Sequence, residues 1–151
     1  MDPTHKEIAE EIYNMASFAL AETGNDTTLF VLIKENQSIP ILVPPGFDID
    51  TAGYAMMSMH YAKEHDADAI VVVSGMWIVK QHISELEDDI VPSEHPDRQH
   101  YLNLIYMSAD GNDMESIVGK VENDPSGTKF VRNHEWAEGL ETSQWFTPWR
   151  E

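Results

Sequence analysis

No cysteine occurs in this 151-residue chain. Its absence removes disulfides, thiolate nucleophiles and cysteine-based zinc or iron–sulfur sites, so any metal must be held by histidine and carboxylate ligands. No apolar run approaches the roughly 18 to 20 residues of a membrane-spanning helix. The longest, Ala69 to Val73, is strand-sized. The opening Met-Asp-Pro-Thr-His-Lys-Glu lacks a basic segment leading into an apolar one, so no secretory signal, no membrane partner and a cytoplasmic location are expected. Neither Gly-x-x-x-x-Gly-Lys nor Gly-x-Gly-x-x-Gly is present, which leaves nucleoside triphosphate and dinucleotide binding unsupported. Ser74 before Gly75 is no nucleophile elbow, because Gly-x-Ser-x-Gly is missing too.

Basic residues are scarce. Nine Lys and Arg stand against 27 Asp and Glu, a net charge of −18. Residues 1–75 carry 12 acids and 3 bases and residues 76–151 carry 15 acids and 6 bases, so the charge is spread and is no tail. Such a field repels nucleic-acid phosphates and attracts cations or basic proteins. It has three readings: a solvated surface, mimicry of nucleic acid toward a basic partner, or a polyvalent cation site.

Apolar residues make up 42% and charged residues 24% of the chain, ordinary globular usage, and the length fits a single domain over 1–151. Residues 4 to 22 read as a helix: Thr4 and Glu7 have capping-box spacing, Ile8, Ile12, Met15, Ala16 and Ala19 share a face, and Gly24 is a stop. Thr28 to Lys34 and Ile39 to Val43 read as a hairpin around Glu35 to Ser38, with Pro40 marking the second strand as an edge. A second helix runs from Asp48 or Asp50 to about His65. Ala52, Ala55, Met56, Met59 and Ala62 form its core stripe, and Tyr54, Met57 and Tyr61 add a second apolar face.

Asp68 to Val73 reads as a central strand covered on both faces, running on to Val79 with a bulge at Gly75. Tyr101 to Ser108 and Met114 to Val121 form a hairpin, and Thr128 to Arg132 is a candidate last strand. An aromatic-rich tail, 134–151, carries Trp136, Trp145, Phe146 and Trp149 and must dock on its own domain or on a partner. The predicted fold class is α+β in the order α-β-β-α-β-β-β, a mostly antiparallel or mixed sheet with both helices packed on one face. That order is similar to the one found in profilin-like and roadblock domains, a likeness of topology that carries no function.

The strand end Ser74-Gly75-Met76-Trp77, the loop Pro92-Ser93-Glu94-His95-Pro96-Asp97-Arg98, the strand from Tyr101 and the turn Ala109-Asp110-Gly111 together resemble an uncharacterised family of small bacterial and phage proteins. That family carries a Ser-x-x-Trp strand end, a Pro-Ser-x-His-Pro-Asp-Arg loop and a later acidic-Gly turn. Gly75 departs from the acidic residue that the resemblance leads one to expect. The resemblance covers about a quarter of the chain. It implies a bacterial or phage-infected cell and assigns no catalytic residue.

Two groupings carry possible chemistry. His60 and Glu64 lie one helical turn apart, where they could share a divalent metal, although neither His-Glu-x-x-His nor its inverse is present. His95, Asp97 and His100 form a second His/carboxylate set, in a loop whose proline-bounded turn chemistry has a structural use of its own. No cofactor is otherwise expected. The leading expectation is a non-enzymatic acidic binding or assembly protein, a homo-oligomer joined through Met57, Tyr61, Trp145, Phe146 and Trp149. A metal-dependent, hydrolase-like enzyme and an acidic nucleic-acid mimic that occupies a basic protein partner are the alternatives.

Overall fold

Asp2 starts the first helix, α1 (Pro3–Thr23). In the computed structural model, which describes residues 1–25, 28–43, 46, 48–78, 99–138 and 146–151, its carboxylate accepts from the backbone N–H groups of Thr4 at 2.7 Å and His5 at 3.4 Å. The sequence points to Thr4 as the cap. Asp2 displaces it because Pro3 suits the first helical position, where a missing N–H costs nothing. Gly24 closes the helix in the left-handed conformation, φ +72°, its N–H donating to the Leu20 carbonyl.

β1 (Leu29–Lys34) and β2 (Gln37–Ile41) form the expected hairpin. Its turn is shorter than predicted: only Glu35 and Asn36 lie outside the strands, with φ of 52° and 61°, the positive values a two-residue type I′ turn requires. α2 (Thr51–Glu64) is capped by Asp50, whose Oδ1 accepts from Gly53 N–H at 2.7 Å. β3 (Ala69–Ile78), β4 (Gln99–Ser108), β5 (Met114–Asn123) and β6 (Lys129–Glu138) then run as an antiparallel meander. The six strands form one sheet in the order β2-β1-β3-β4-β5-β6.

The fold is therefore α+β with one strand more than the predicted order, α-β-β-α-β-β-β-β. The added strand is β6, which extends the candidate Thr128 to Arg132 and takes residues 134–138 out of the expected tail. The two helices also lie on opposite faces of the sheet. β3 explains this. Alternate residues of a strand point to opposite faces, and Val71 and Val73 join α1 residues Ala9, Ile12, Tyr13 and Leu20 in one core. Ile70 and Val72 join Tyr54, Ala55 and Ala62 of α2 in another. Both sides of β3 are apolar, so each face needs its own helix. No bulge occurs at Gly75, since β3 pairs with β4 without interruption from Ala69↔Ser108 to Ile78↔Gln99.

Each sheet edge carries a feature that hinders strand addition. The two-residue turn makes Lys34 and Gln37 a hydrogen-bonded pair, and alternation puts Pro40, opposite Val31, at a position whose nitrogen faces outward and has no proton to donate. At the other edge, Gly119↔His134 is followed by Val121↔Val131. Arg132 and Asn133 thus oppose Lys120 alone, a bulge on the outermost strand that interrupts its ladder.

Candidate functional site

Buried tyrosines tie the layers together and use up their polar atoms in doing so. Tyr13 Oη donates to the Leu102 carbonyl at 2.8 Å, joining α1 to β4. Tyr54 Oη donates to the Ile41 carbonyl and accepts from Phe30 N–H at 3.3 Å, joining α2 to the β1–β2 hairpin. Tyr106 Oη meets His5 Nδ1 at 2.7 Å. Burial pushes all three phenols above their ordinary range, so they remain protonated struts and do not act as bases.

The end of the chain forms a strap over the α2–β3 and β4–β5 turns. Phe146 is buried in the α2-side core, beside Phe30. Trp149 Nε1 donates to the Ala67 carbonyl at 2.8 Å, and the N–H groups of Trp149 and Arg150 both donate to the Ala109 carbonyl. Arg150 donates to Asp66 Oδ1 at 2.6 Å and to Asp68 Oδ1 at 3.0 Å. Pro148 lies against Gly111, at φ +75°, where any β-carbon would meet the proline ring.

The Arg150 guanidinium holds the Asp66 carboxyl below its ordinary range. Asp68 is lowered first by the Glu35 N–H and then by Arg150. A carboxylate whose folded pKa is depressed adds stability above its unfolded pKa and loses it as pH falls through the folded one. The strap should therefore hold at neutral pH and loosen below about pH 4. Following the Trp149 indole N–H resonance during acid titration tests this. Arg150→Met should show the released signal already at neutral pH, and an unchanged resonance in that variant would remove the clamp from the account.

The predicted site residues that fall among the described ones, His60, Glu64 and His100, do not form one cluster. His60 Nε2 and Glu64 Oε2 do meet, at 3.2 Å, but with side chains 73% and 56% exposed they form an ordinary surface pair. Among the described residues no group of three or more His, Asp or Glu side chains could hold a metal ion. His100 is buried on β4, on the opposite face of the sheet from α2. His95, Asp97 and Trp145, with the rest of the Pro92 to Arg98 loop, lie outside the described residues. Two buried side-chain oxygens make no hydrogen bond, Asn103 Oδ1 and Glu115 Oε2. They belong to opposite faces of the sheet and so define no common site.

Of the predicted interface residues, Phe146 and Trp149 spend their apolar surface within the chain. Met57 is half-buried against the same core. Tyr61 is 38% exposed and stacks on His65 at 6.1 Å. The two-faced apolar pattern of α2 resolves differently from the prediction: Tyr54, Ala55, Ser58 and Ala62 are buried, and Met56 is 74% exposed.

Three grooves open on the described surface. One of about 480 Å³ lies between α2 and the strap, beside Met56, Met59, His60 and Lys63. One of about 430 Å³ lies between α2 and β2, beside Ile39, Tyr61 and His65. The third, about 390 Å³, runs between α1 and the β1–β2 hairpin. It exists because α1 makes its principal contacts with β3, β4 and β6, which leaves the same face of β1 and β2 without a helix.

This third groove is mainly apolar, with Ile12, Ala16, Leu29, Val31, Pro40 and Val73 among its lining and Asn25 and Ser38 as its polar members. Of the exposed apolar side chains, Met15, at 72% exposure, lines it, whereas Leu42 lines the groove between α2 and β2 and Phe18 belongs to neither lining. Helical spacing turns Ile12, Met15, Ala16 and Ala19 toward the groove and sets Phe18, with Glu11 and Glu22, on the outer face of α1. The sequence assigns Met15 and Ala19 to the core stripe, but both are exposed. The signal for the groove is an apolar arc on α1 wider than a sheet can cover, interrupted by Glu11 and Glu22.

These elements define an α+β domain with one helix layer on each face of an antiparallel sheet. No family model, curated protein or solved structure matches the chain. No helix among the described residues is long and apolar enough to cross a membrane.

Proposed function

We propose that this chain is a non-enzymatic, acidic binding protein whose working surface is the groove between α1 and the β1–β2 hairpin, and that its partner is a basic protein. The observation that carries the reading is a mainly apolar groove whose α1 wall leaves Met15, at 72% exposure, and Ala19 in water on a chain of net charge −18. Large apolar side chains left in water beside a cavity are the usual mark of an interaction surface. The acidic field steers a basic partner toward it, and apolar burial then holds that partner in place.

A second copy of the chain suits the groove less well. An isologous contact would bring together two subunits that each carry −18, and salt would be needed to screen that repulsion. The metal-dependent enzyme lacks a ligand cluster among the described residues. The nucleic-acid mimic shares the basic partner but needs only charge, whereas the groove adds an apolar requirement.

The test uses binding to a synthetic leucine–lysine amphipathic peptide, read by fluorescence anisotropy. Met15→Asp should weaken binding at least tenfold, the loss of an interface anchor. Its melting temperature should change little, because Met15 is exposed and surface substitutions shift stability by only about ±0.5 kcal/mol. Undiminished binding by this variant, or binding that salt alone abolishes, would sink the groove reading in favour of pure charge attraction.

A further inference from the structure

We infer that Asp110-Gly111, in the β4–β5 turn, is a site of isoaspartate formation that the C-terminal strap holds shut. Of the eight glycines in the chain, Gly111 alone follows an aspartate or asparagine. That pairing is reactive because a glycine nitrogen, with no side chain beside it, can reach the preceding carboxyl carbon. The Gly111 nitrogen attacks Asp110 Cγ and a new C–N bond forms. The hydroxyl of the neutral carboxyl leaves with the amide proton as water, and a succinimide ring remains. Water then opens the ring. Where it adds at the α-carbonyl, the old peptide bond breaks and the chain runs on through Cβ and Cγ, one backbone carbon longer, with the α-carboxylate free.

The folded turn withholds both reactants. Asp110 Oδ1 accepts from the Ser108 hydroxyl at 2.7 Å and from the Asn112 N–H at 3.0 Å, and Oδ2 accepts from Asn112 Nδ2 at 3.1 Å. The Asn112 N–H and then the Ser108 hydroxyl hold the carboxyl below its ordinary range, so the neutral acid that supplies the leaving hydroxyl is scarce. The Gly111 N–H is spent on the Ser108 carbonyl at 2.9 Å. The strap fixes this arrangement from outside. The N–H groups of Trp149 and Arg150 reach the Ala109 carbonyl, next to Asp110, at 3.0 and 3.1 Å, and Pro148 lies on Gly111. Isomerisation therefore proceeds from the fraction of molecules in which strap and turn have opened, and its rate follows that fraction. The product does not reseat. At φ +75° Gly111 leaves no room for a further atom under the proline ring, and a longer chain displaces it. Opening permits the modification, and the modification keeps the strap open.

The full chain aged in warm, neutral buffer tests this. Labelling by an isoaspartyl methyltransferase counts the product and peptide mapping places it. Asp110 should be the main position. Arg150→Met should accumulate isoaspartate there at least about threefold faster, since losing an exposed ion pair raises the open fraction by about that factor. Trp149→Phe, which loses the indole bond to the Ala67 carbonyl, should do the same. Tyr13→Phe weakens the other face of the sheet and should leave the rate near that of the wild type. In the isomerised fraction the Trp149 indole N–H resonance should take its released position at neutral pH. Isoaspartate that gathers elsewhere and not at Asp110 would overturn the site. Equal rates in the wild type and both strap variants, or as large an acceleration by Tyr13→Phe, would overturn the clamp. An isomerised fraction whose indole resonance matches the unaged protein would overturn the lasting release.

Discussion

Val71→Asp should abolish soluble folding. Val71 is fully buried at the centre of the sheet, paired with Val31 on β1 and Tyr106 on β4, and its side chain faces the α1-side core. His5, buried on the same face, is already committed to Tyr106 Oη through Nδ1 at 2.7 Å, so a carboxylate at Val71 would be set among apolar side chains. An isolated buried charge costs several kcal/mol even after protonation or water entry, as much as the roughly 5–15 kcal/mol by which a domain is stable. The soluble fraction and the thermal melt of the variant are the measurements. A cooperative melt near that of the wild type would mean β3 is not the interior strand. Val71→Thr is the milder control, nearly isosteric and losing only part of this.

Gly119→Ala should destabilise the fold by about 1–3 kcal/mol, the usual cost of forcing an extra carbon into a filled site. Gly119 sits on β5 under α1, where a β-carbon would run into Tyr13 Oη and Val131 Cγ1 and lie 3.2 Å from His134 Cβ. The tyrosine cannot swing aside freely, because its hydroxyl is committed to the Leu102 carbonyl and its ring packs against His134 at 4.9 Å. Tyr13→Phe alone should also destabilise, since it leaves that carbonyl without its donor. Combined, the two substitutions should cost less than the sum of their separate effects, because the phenyl ring vacates the space that the methyl needs. Denaturant melts of the two singles and the double give the coupling. Strict additivity would show that the ring and the glycine do not meet.

Much of the fold is legible in the sequence where one pattern dominates. The 3.6-residue period sets α1, the unbroken run Ala69 to Val73 sets the central strand, and Pro40 marks an edge. Asp48 or Asp50 before a helical run marks the start of α2, and Asp50 takes the cap. The placement of the helices is not legible in the same way, because periodicity states which residues are apolar and not which face of the sheet receives them. Only the two-sided apolarity of β3 hints at two layers. β6 escapes notice because Arg132, Asn133 and Glu135 are polar, and the bulge beside Lys120 breaks strict alternation.

The candidate site is harder still. Met15 and Ala19 satisfy the core period as well as Ile12 and Ala16 do, and only the actual lateral position of α1 on the sheet separates exposed from buried. The attraction of His60 and Glu64 as ligands comes from spacing alone. On an exposed helix face, with no third such group beside them among the described residues, the two side chains simply meet each other.

The sheet that divides the molecule also divides its tolerance for change. Residues that line the groove draw on the α1-side core, whereas the strap, Phe146 and α2 draw on the other. The two faces carry separate cores, and substitutions without shared partners combine almost additively. The exposed rim of the groove, Met15 and Ala19, can therefore change without touching the α2-side core, whereas its buried lining, Val31, Val73 and Leu102, ties any deeper reshaping to the stability of the α1 half.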